Sequence, residues 1–273
     1  MLTAACLELF QHWILIHDDI EDGSEMRRDQ STLHKLHGEA LALNTGDALH
    51  GRMWGLLAGN RAKLGPEKTL RIISEFSKMV NETTEGQHME LVWVKESNWR
   101  LSESDYDQMV MRKTSWYTAA SPCRLGAIVA GAGESELEKL LRFGLKLGVA
   151  FQITDDALNL IGDASKYGKE IGGDILEGKR TVMLLKLLEL AKPEERREVI
   201  SIMDKPRTEK TPEDVASVLS LMKRYDTIAQ AQKRAHVLLE EAMPILDTVK
   251  MKGDRSSVEN LKAVARYLVE RQW

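Results

Sequence analysis

Apolar residues recur three and four positions apart along nearly the whole chain, and stretches that alternate apolar with polar residues are scarce. That period lays one apolar stripe along a helix and leaves no flat face for a sheet. Only 6 prolines fall among 273 residues, so helices meet few interruptions. The spacing predicts an all-α protein. Breaks are expected at Gly23-Ser24, Gly59 to Pro66, near Asn98, Gly131 to Glu134, Gly162 to Gly173, Pro193, Pro206 to Pro212 and Lys250 to Gly253, which leaves roughly ten helices. Pro122 and Pro244 sit inside helical patterns and should kink rather than end them. No Ser-, Gly- or Pro-rich linker and no long-period repeat divides the chain, so residues 1–273 read as a single domain.

Two acidic clusters interrupt the apolar pattern in the same way. Asp18-Asp19-Ile20-Glu21-Asp22 ends one apolar helix, and Asp155-Asp156-Ala157-Leu158-Asn159 ends another, with Asn159 in place of the last carboxylate. Carboxylates four apart share a helix face and repel, so each cluster needs a compensating cation or an exposed helix end. One such cluster alone would read as a polar terminus. The repeated spacing changes the weighting, because hard oxygen ligands on two helices suit Mg²⁺, which binds through one or two carboxylates plus substrate phosphates. Arg27 and Arg28 follow the first cluster, and Lys169, Lys179 and Arg180 follow the second. Both cation types are effective partners for a diphosphate.

Composition narrows the partners. With 38 Lys and Arg against 42 Asp and Glu the formal charge is -4, and no basic excess advertises nucleic acid or an anionic membrane surface. Cys6 and Cys123 are the 2 cysteines. They lie far apart without metal-type spacing, which fits a reducing, cytoplasmic setting and excludes a disulfide framework. The apolar start of the chain carries Glu8, Gln11 and His12, lacks a basic leader region and falls short of the ~20 residues of a membrane span. It is expected to be a buried helix. His34 and His37 lack further ligands at zinc-site spacing. Most methionines and tryptophans read as core, and the mixed-charge run Glu194 to Glu198 reads as a solvated helix face.

From Asp18 to Arg28 the chain resembles the first aspartate-rich motif of the trans-isoprenyl diphosphate synthases, the farnesyl and geranylgeranyl diphosphate synthases among them. Further matches keep that family's order: Gly86-Gln87 with Glu90, Lys113-Thr114 with Tyr117, Phe151-Gln152 before Asp155, then Gly168-Lys169, Asp174 and Lys179. Together they cover residues 7 to 180. The resemblance implies an isoprenoid synthase helical bundle around a central cavity. It implies a prenyltransferase that joins an allylic diphosphate (dimethylallyl, geranyl or farnesyl) to isopentenyl diphosphate through ionisation, condensation and elimination, with roughly three Mg²⁺ ions neutralising the departing diphosphate.

By the same resemblance Asp18, Asp19, Asp22 and Asp155 would ligate Mg²⁺, with Asp156 and Asn159 nearby. Arg27, Lys113, Lys169, Lys179 and Gln87 would serve the allylic diphosphate, Gln11 and Arg28 the isopentenyl diphosphate, and Lys113, Thr114, Gln87 and Gln152 would border the reacting carbons. Phe10, Trp13 and Ile14 stand where the family floors its tail pocket. Trp13, at 1.5 Å rise per residue, lies roughly 7.5 Å down the helix from Asp18. One aromatic there resembles geranylgeranyl synthases, so a C20 product is expected, with C15 as runner-up. A homodimer is also implied.

The chain departs from the pattern at Asn159 and Glu90, at Asp29 where glycine usually follows the arginine pair, and at its start. Met1 falls inside the helix that carries Asp18, so the family's earlier helices have no counterpart. A missing segment is expected rather than a shortened relative. Two other functions compete. A terpene cyclase on the same fold also uses acidic clusters, but it has no second diphosphate for Gln11 and Arg28 to hold. A non-catalytic partner subunit would have little use for both clusters.

Overall fold

A computed structural model describes residues 1–162, 171–250 and 255–271. The described residues are helical apart from one hairpin and short connections, as the periodicity predicts. The chain opens with α1 (Leu2–Glu21). A two-residue hairpin follows, Met26–Arg27 paired antiparallel with Gln30–Ser31. The helical pattern gave no hint of this hairpin, because strands so short carry no period of their own. Arg28 and Asp29 at its tip have φ of 53° and 59°, the left-handed pattern of a tight hairpin turn. That conformation explains why glycine is the commoner residue at Asp29, since glycine adopts it without steric cost.

Next come α2 (Leu33–His37), α3 (Glu39–Ala58) and α4 (Arg61–Lys95), the last broken at Gly65, whose φ of 77° lets the chain turn before Pro66. Helix α5 (Glu103–Val110) runs into a π-helical stretch, Met111–Ala120, and on into α6 (Ser121–Ala130). Pro122 follows directly on the π-helical stretch inside one continuous helical run, so it does not end its helix. The long α7 is Glu134–Ile161, followed by α8 (Gly173–Glu177), α9 (Val182–Leu190), α10 (Pro193–Met203), α11 (Pro212–Arg224), α12 (Thr227–Asp247) and α13 (Ser256–Glu270). Helix α12 keeps Pro244 within it. Short connecting helices bring the described total above the roughly ten expected from punctuation alone.

Helix α7 is the axis. It packs against α12 on one side and the π-helical stretch on the other, while α4 covers the far side of that stretch and α1 packs on α3. One apolar core joins α7, α9, α12 and α13; a second, built on Phe10, Met53, Phe76 and Leu125, joins α1, α3, α4 and α6. Two close approaches hold the wide π turns in place. A Cβ at Gly86 of α4 would overlap the backbone of Lys113, and one at Gly148 of α7 would overlap Ser115. Glycine at both positions lets the neighbouring helices close on the segment that carries Lys113 and Thr114. Between α6 and α4, buried Glu75 accepts hydrogen bonds from Ser121 Oγ at 2.9 Å and from Arg124 Nε at 2.8 Å, a charge pair that fixes the closed end of the bundle.

Candidate active site

A cavity of about 340 Å³ opens between α1, α4, the π-helical stretch and α7, with Lys179, Arg180 and Thr181 also lining it. Helix α1 presents Gln11, Ile14, Leu15 and Asp18 to it, which is one helix face at spacings of three and four. From α7 come Phe151, Gln152, Asp155 and Asp156, and from the π turns Lys113, Thr114 and Tyr117. The structure therefore brings together residues that lie up to 260 positions apart in the chain, from Gln11 to Arg271.

Each aspartate of the first cluster holds a cation. Arg27 Nη2 and Nε donate to Asp19 at 2.6 and 2.8 Å, and the same Nη2 lies 3.4 Å from Asp18. Lys113 donates to Glu90 and sits 3.3 Å from Asp18. Lys179 donates to Asp22 at 2.7 Å and lies 2.8 Å from Glu177. Burial pushes the Asp22 carboxyl up to about 7; Lys179 opposes that shift and neighbouring Asp18 adds to it. Burial alone would lower the Lys113 ammonium, yet Glu90 and Asp18 raise it above its ordinary value. Lys113 thus stays charged, and so does Glu90, which burial would raise but Lys113 and Lys179 hold low.

The second cluster is organised by hydrogen bonds. Thr114 Oγ1 donates to Gln152 Oε1 at 2.8 Å, Gln152 Nε2 donates to Asp156 Oδ1 at 2.6 Å, and Tyr106 OH donates to Asp156 Oδ2 at 2.7 Å. Burial raises Asp156 to about 6, against the two donors that lower it. Asn159 accepts from the backbone N–H of Asp174 at 3.0 Å, so the amide that replaces the third carboxylate pins the start of α8. Asp155 faces the cavity and accepts from Arg271 Nη2 at 2.7 Å.

Not every expected site residue lines this cavity: Asp22 lines a smaller one that shares Asp18, Arg27 and Lys179 with it. Asp19 is buried, 6% exposed, under the Arg27 fork rather than turned to the cavity. Gln87 lines the cavity but donates to Glu21 at 2.6 Å. Trp13 does not line the cavity at all: its indole stacks on His50 of α3 at 4.0 Å, and Phe10 meets it edge-on at 5.5 Å. Successive helix residues point about 100° apart, so of Trp13 and Ile14 only one can share the face of Asp18, and that is Ile14. Phe10 is buried behind Tyr117, ring centres 5.8 Å apart, and Tyr117 itself reaches the cavity. Lys169 lies outside the described residues. Tyr106 and Arg271 are the residues that the sequence did not single out. A tyrosine inside an apolar helix face hints at a buried partner for its hydroxyl, but nothing near Arg271 in sequence points to α7.

A cavity lined by paired acidic clusters and by lysines and arginines inside a helical bundle is the architecture of a diphosphate-handling helical transferase. Comparison with known proteins gives the family. A model of the polyprenyl synthetase family matches residues 1–222. The chain is 32% identical over 270 residues to the geranylgeranyl diphosphate synthase of Sulfolobus acidocaldarius, covering 99% of this chain and 80% of that one. It is 33% identical to the geranylfarnesyl diphosphate synthase of Aeropyrum pernix, covering 98% and 81%. Among solved structures, the geranylgeranyl pyrophosphate synthase of Corynebacterium glutamicum, complexed with isoprenyl diphosphate and magnesium, superposes with a TM-score of 0.90 at 30% identity over 99% of this chain and 78% of that one. The chain belongs to the polyprenyl synthetase family and is a trans-prenyltransferase.

Proposed function

We propose that the protein condenses an allylic diphosphate with isopentenyl diphosphate to give geranylgeranyl diphosphate. The observation that carries this reading is the cavity's mixed lining: the charged groups of Asp18, Asp155, Lys113 and Lys179 share it with the apolar side chains of Ile14, Leu15, Met109 and Val110. A diphosphate head and a prenyl tail need both kinds of surface.

The donor set fits Mg²⁺ bound together with a diphosphate. Among the described residues no three His, Cys, Asp or Glu are grouped closely enough to hold an ion by themselves. Mg²⁺ characteristically takes one or two protein carboxylates and completes its shell with water and phosphate oxygens. Asp18 on α1 and Asp155 on α7 are the ligands we assign, with Asp22 in the smaller adjoining cavity and Asp19 holding Arg27. When bound, the metal supplies Lewis-acid neutralisation of the leaving diphosphate.

The chain's own groups do the rest. Arg27, Lys113 and Lys179 turn from carboxylates to the allylic diphosphate; Lys169, outside the described residues, is assigned the same partner by the family resemblance alone. Gln11 and Arg28, both lining the cavity, hold isopentenyl diphosphate. Gln87, the Thr114 hydroxyl and the Gln152 carbonyl, the last two fixed by the hydrogen-bond chain to Asp156, present oxygen dipoles to the allylic cation. The released diphosphate takes the proton. Two copies packed through α3 would form the homodimer, with Leu41 and Leu56, 63% and 42% exposed, on the shared apolar face. Free Cys6 and Cys123 fit a reducing cytoplasm.

Steady-state assays of Asp18→Ala and Asp155→Ala test the assignment. Each should lower turnover about a hundredfold or more while the fold persists. Turnover within a few-fold of wild type in either variant would remove the metal role.

A further inference from the structure

Two neighbouring cations follow α8 and reach towards different parts of the molecule. Gly178, with φ of 74°, turns the chain after Glu177, and the next two side chains diverge. Lys179 reaches α1, where it donates to Asp22 at 2.7 Å. Arg180 turns inward and is 1% exposed. Its guanidinium stacks on the Trp99 ring at 3.8 Å, and its Nη2 lies 3.5 Å from Asp204. Trp99 Nε1 donates to the same carboxylate at 3.1 Å, so ring and carboxylate form one clamp, built from the α4–α5 connection and the end of α10. Arg180 Nη1 also donates to the Gly178 carbonyl. That bond spans Lys179 and ties the backbone on either side of it. Lys210 holds the preceding turn by donating to the Leu176 carbonyl at 2.9 Å.

We propose that Arg180 is a positioning residue: clamped by Trp99 and Asp204, it fixes the backbone that carries Lys179 and so sets where the Lys179 ammonium stands. The proposal rests on the assignment of Lys179 to the allylic diphosphate. Arg180 lines the cavity, but its guanidinium is turned to Trp99, Asp204 and Gly178, so it acts through its neighbour and not on the substrate. Burying a guanidinium is costly, and apolar groups of similar volume often serve stability equally well. What they lack is the donor that reaches the Gly178 carbonyl. Lysine carries its charge on a flexible four-carbon stem. With the Lys179 backbone fixed, the ammonium passes from Asp22 to a diphosphate oxygen by side-chain rotation alone. With that backbone loose, the loop has to be ordered in the same event, and its lost entropy weakens binding.

Calorimetric titration with inorganic pyrophosphate and Mg²⁺ tests this on wild type, Arg180→Met, Lys179→Ala and the double variant. Arg180→Met should bind about threefold to tenfold more weakly. Once Lys179 is gone there is nothing left to position, so the double variant should match Lys179→Ala within about twofold. Losses that multiply overturn the positioning role, because they would mean that Arg180 acts on the anion or on the fold directly. Wild-type affinity in Arg180→Met beside a weakened Lys179→Ala also overturns it, and leaves Lys179 its diphosphate. Wild-type affinity in Lys179→Ala overturns both readings. Arg180→Lys keeps the charge but loses the planar fork, so it should bind as weakly as Arg180→Met; full affinity there would show that charge alone matters and would contradict the bracketing bond. Trp99→Phe covers the case in which Arg180→Met does not fold. It keeps a ring for stacking and loses the bond to Asp204, and it should give a smaller loss that again vanishes in the Lys179→Ala background. No loss, or one that persists there, contradicts the clamp.

Discussion

Ile14 and Trp13 are neighbours on α1 that serve different surfaces, and product length should follow the first. Ile14 faces the cavity one turn before Asp18, while Trp13 fills the seam between α1 and α3 against His50. Ile14→Phe should shorten the product towards C15 by shallowing the pocket. Trp13→Ala should leave the product spectrum intact but cost about 3–5 kcal/mol, the range for emptying a buried aromatic site. Product analysis by mass spectrometry and a denaturant melt check the pair; longer products from a folded Trp13→Ala protein would return the floor to Trp13. The aromatic at this position was legible in the sequence, and so was the helical period. Reading the facing from the spacing to Asp18, rather than from the aromatic itself, selects Ile14. Arg271 shows the opposite limit. Its partner lies 116 positions away, and no local pattern encodes a contact made by the end of a chain.

At the scale of elements, the acidic clusters could be read because each lies within one helix, where four-residue spacing fixes relative position. The π-helical stretch could not. Its sequence has ordinary helical propensity, and the packing that accompanies the wider turns, Gly86 and Gly148 approaching it from two helices, is tertiary. The connection from α10 to α11 carries a second charge that tertiary packing controls. Lys210 donates to the carbonyl of Leu176 at 2.9 Å, and burial, reinforced by nearby Arg180, lowers its ammonium to about 8. An ammonium whose folded pKa lies below its unfolded value of 10.5 destabilises the fold while charged, and that penalty lifts as pH rises between the two values. Wild type should therefore gain stability relative to Lys210→Met from pH 8 to pH 10. Paired thermal melts across that range check the sign, and a constant gap would mean that Lys210 titrates as an exposed lysine does.

For the whole molecule, the two cores on either side of the cavity make a shell that needs both halves, and the all-α architecture follows from apolar spacing alone. Assembly does not, because the outer leucines of α3 look on paper like any helix stripe. Sedimentation at micromolar concentration should give a dimer, and Leu41→Glu should shift it towards monomer, since a charge buried at an apolar seam is left unpaired. Particles of about 31 kDa from the wild type would remove the homodimer. No described helix is long and apolar enough to cross a membrane. The proposed condensation and the product length that the cavity would set are tested together by one measurement. Purified protein is incubated with Mg²⁺, isopentenyl diphosphate and, in turn, dimethylallyl, geranyl and farnesyl diphosphate, and the products are weighed by mass spectrometry. The result expected is a linear C20 diphosphate from each starter, lost when the metal is chelated; no elongated diphosphate, or a cyclised hydrocarbon with free pyrophosphate, would contradict it.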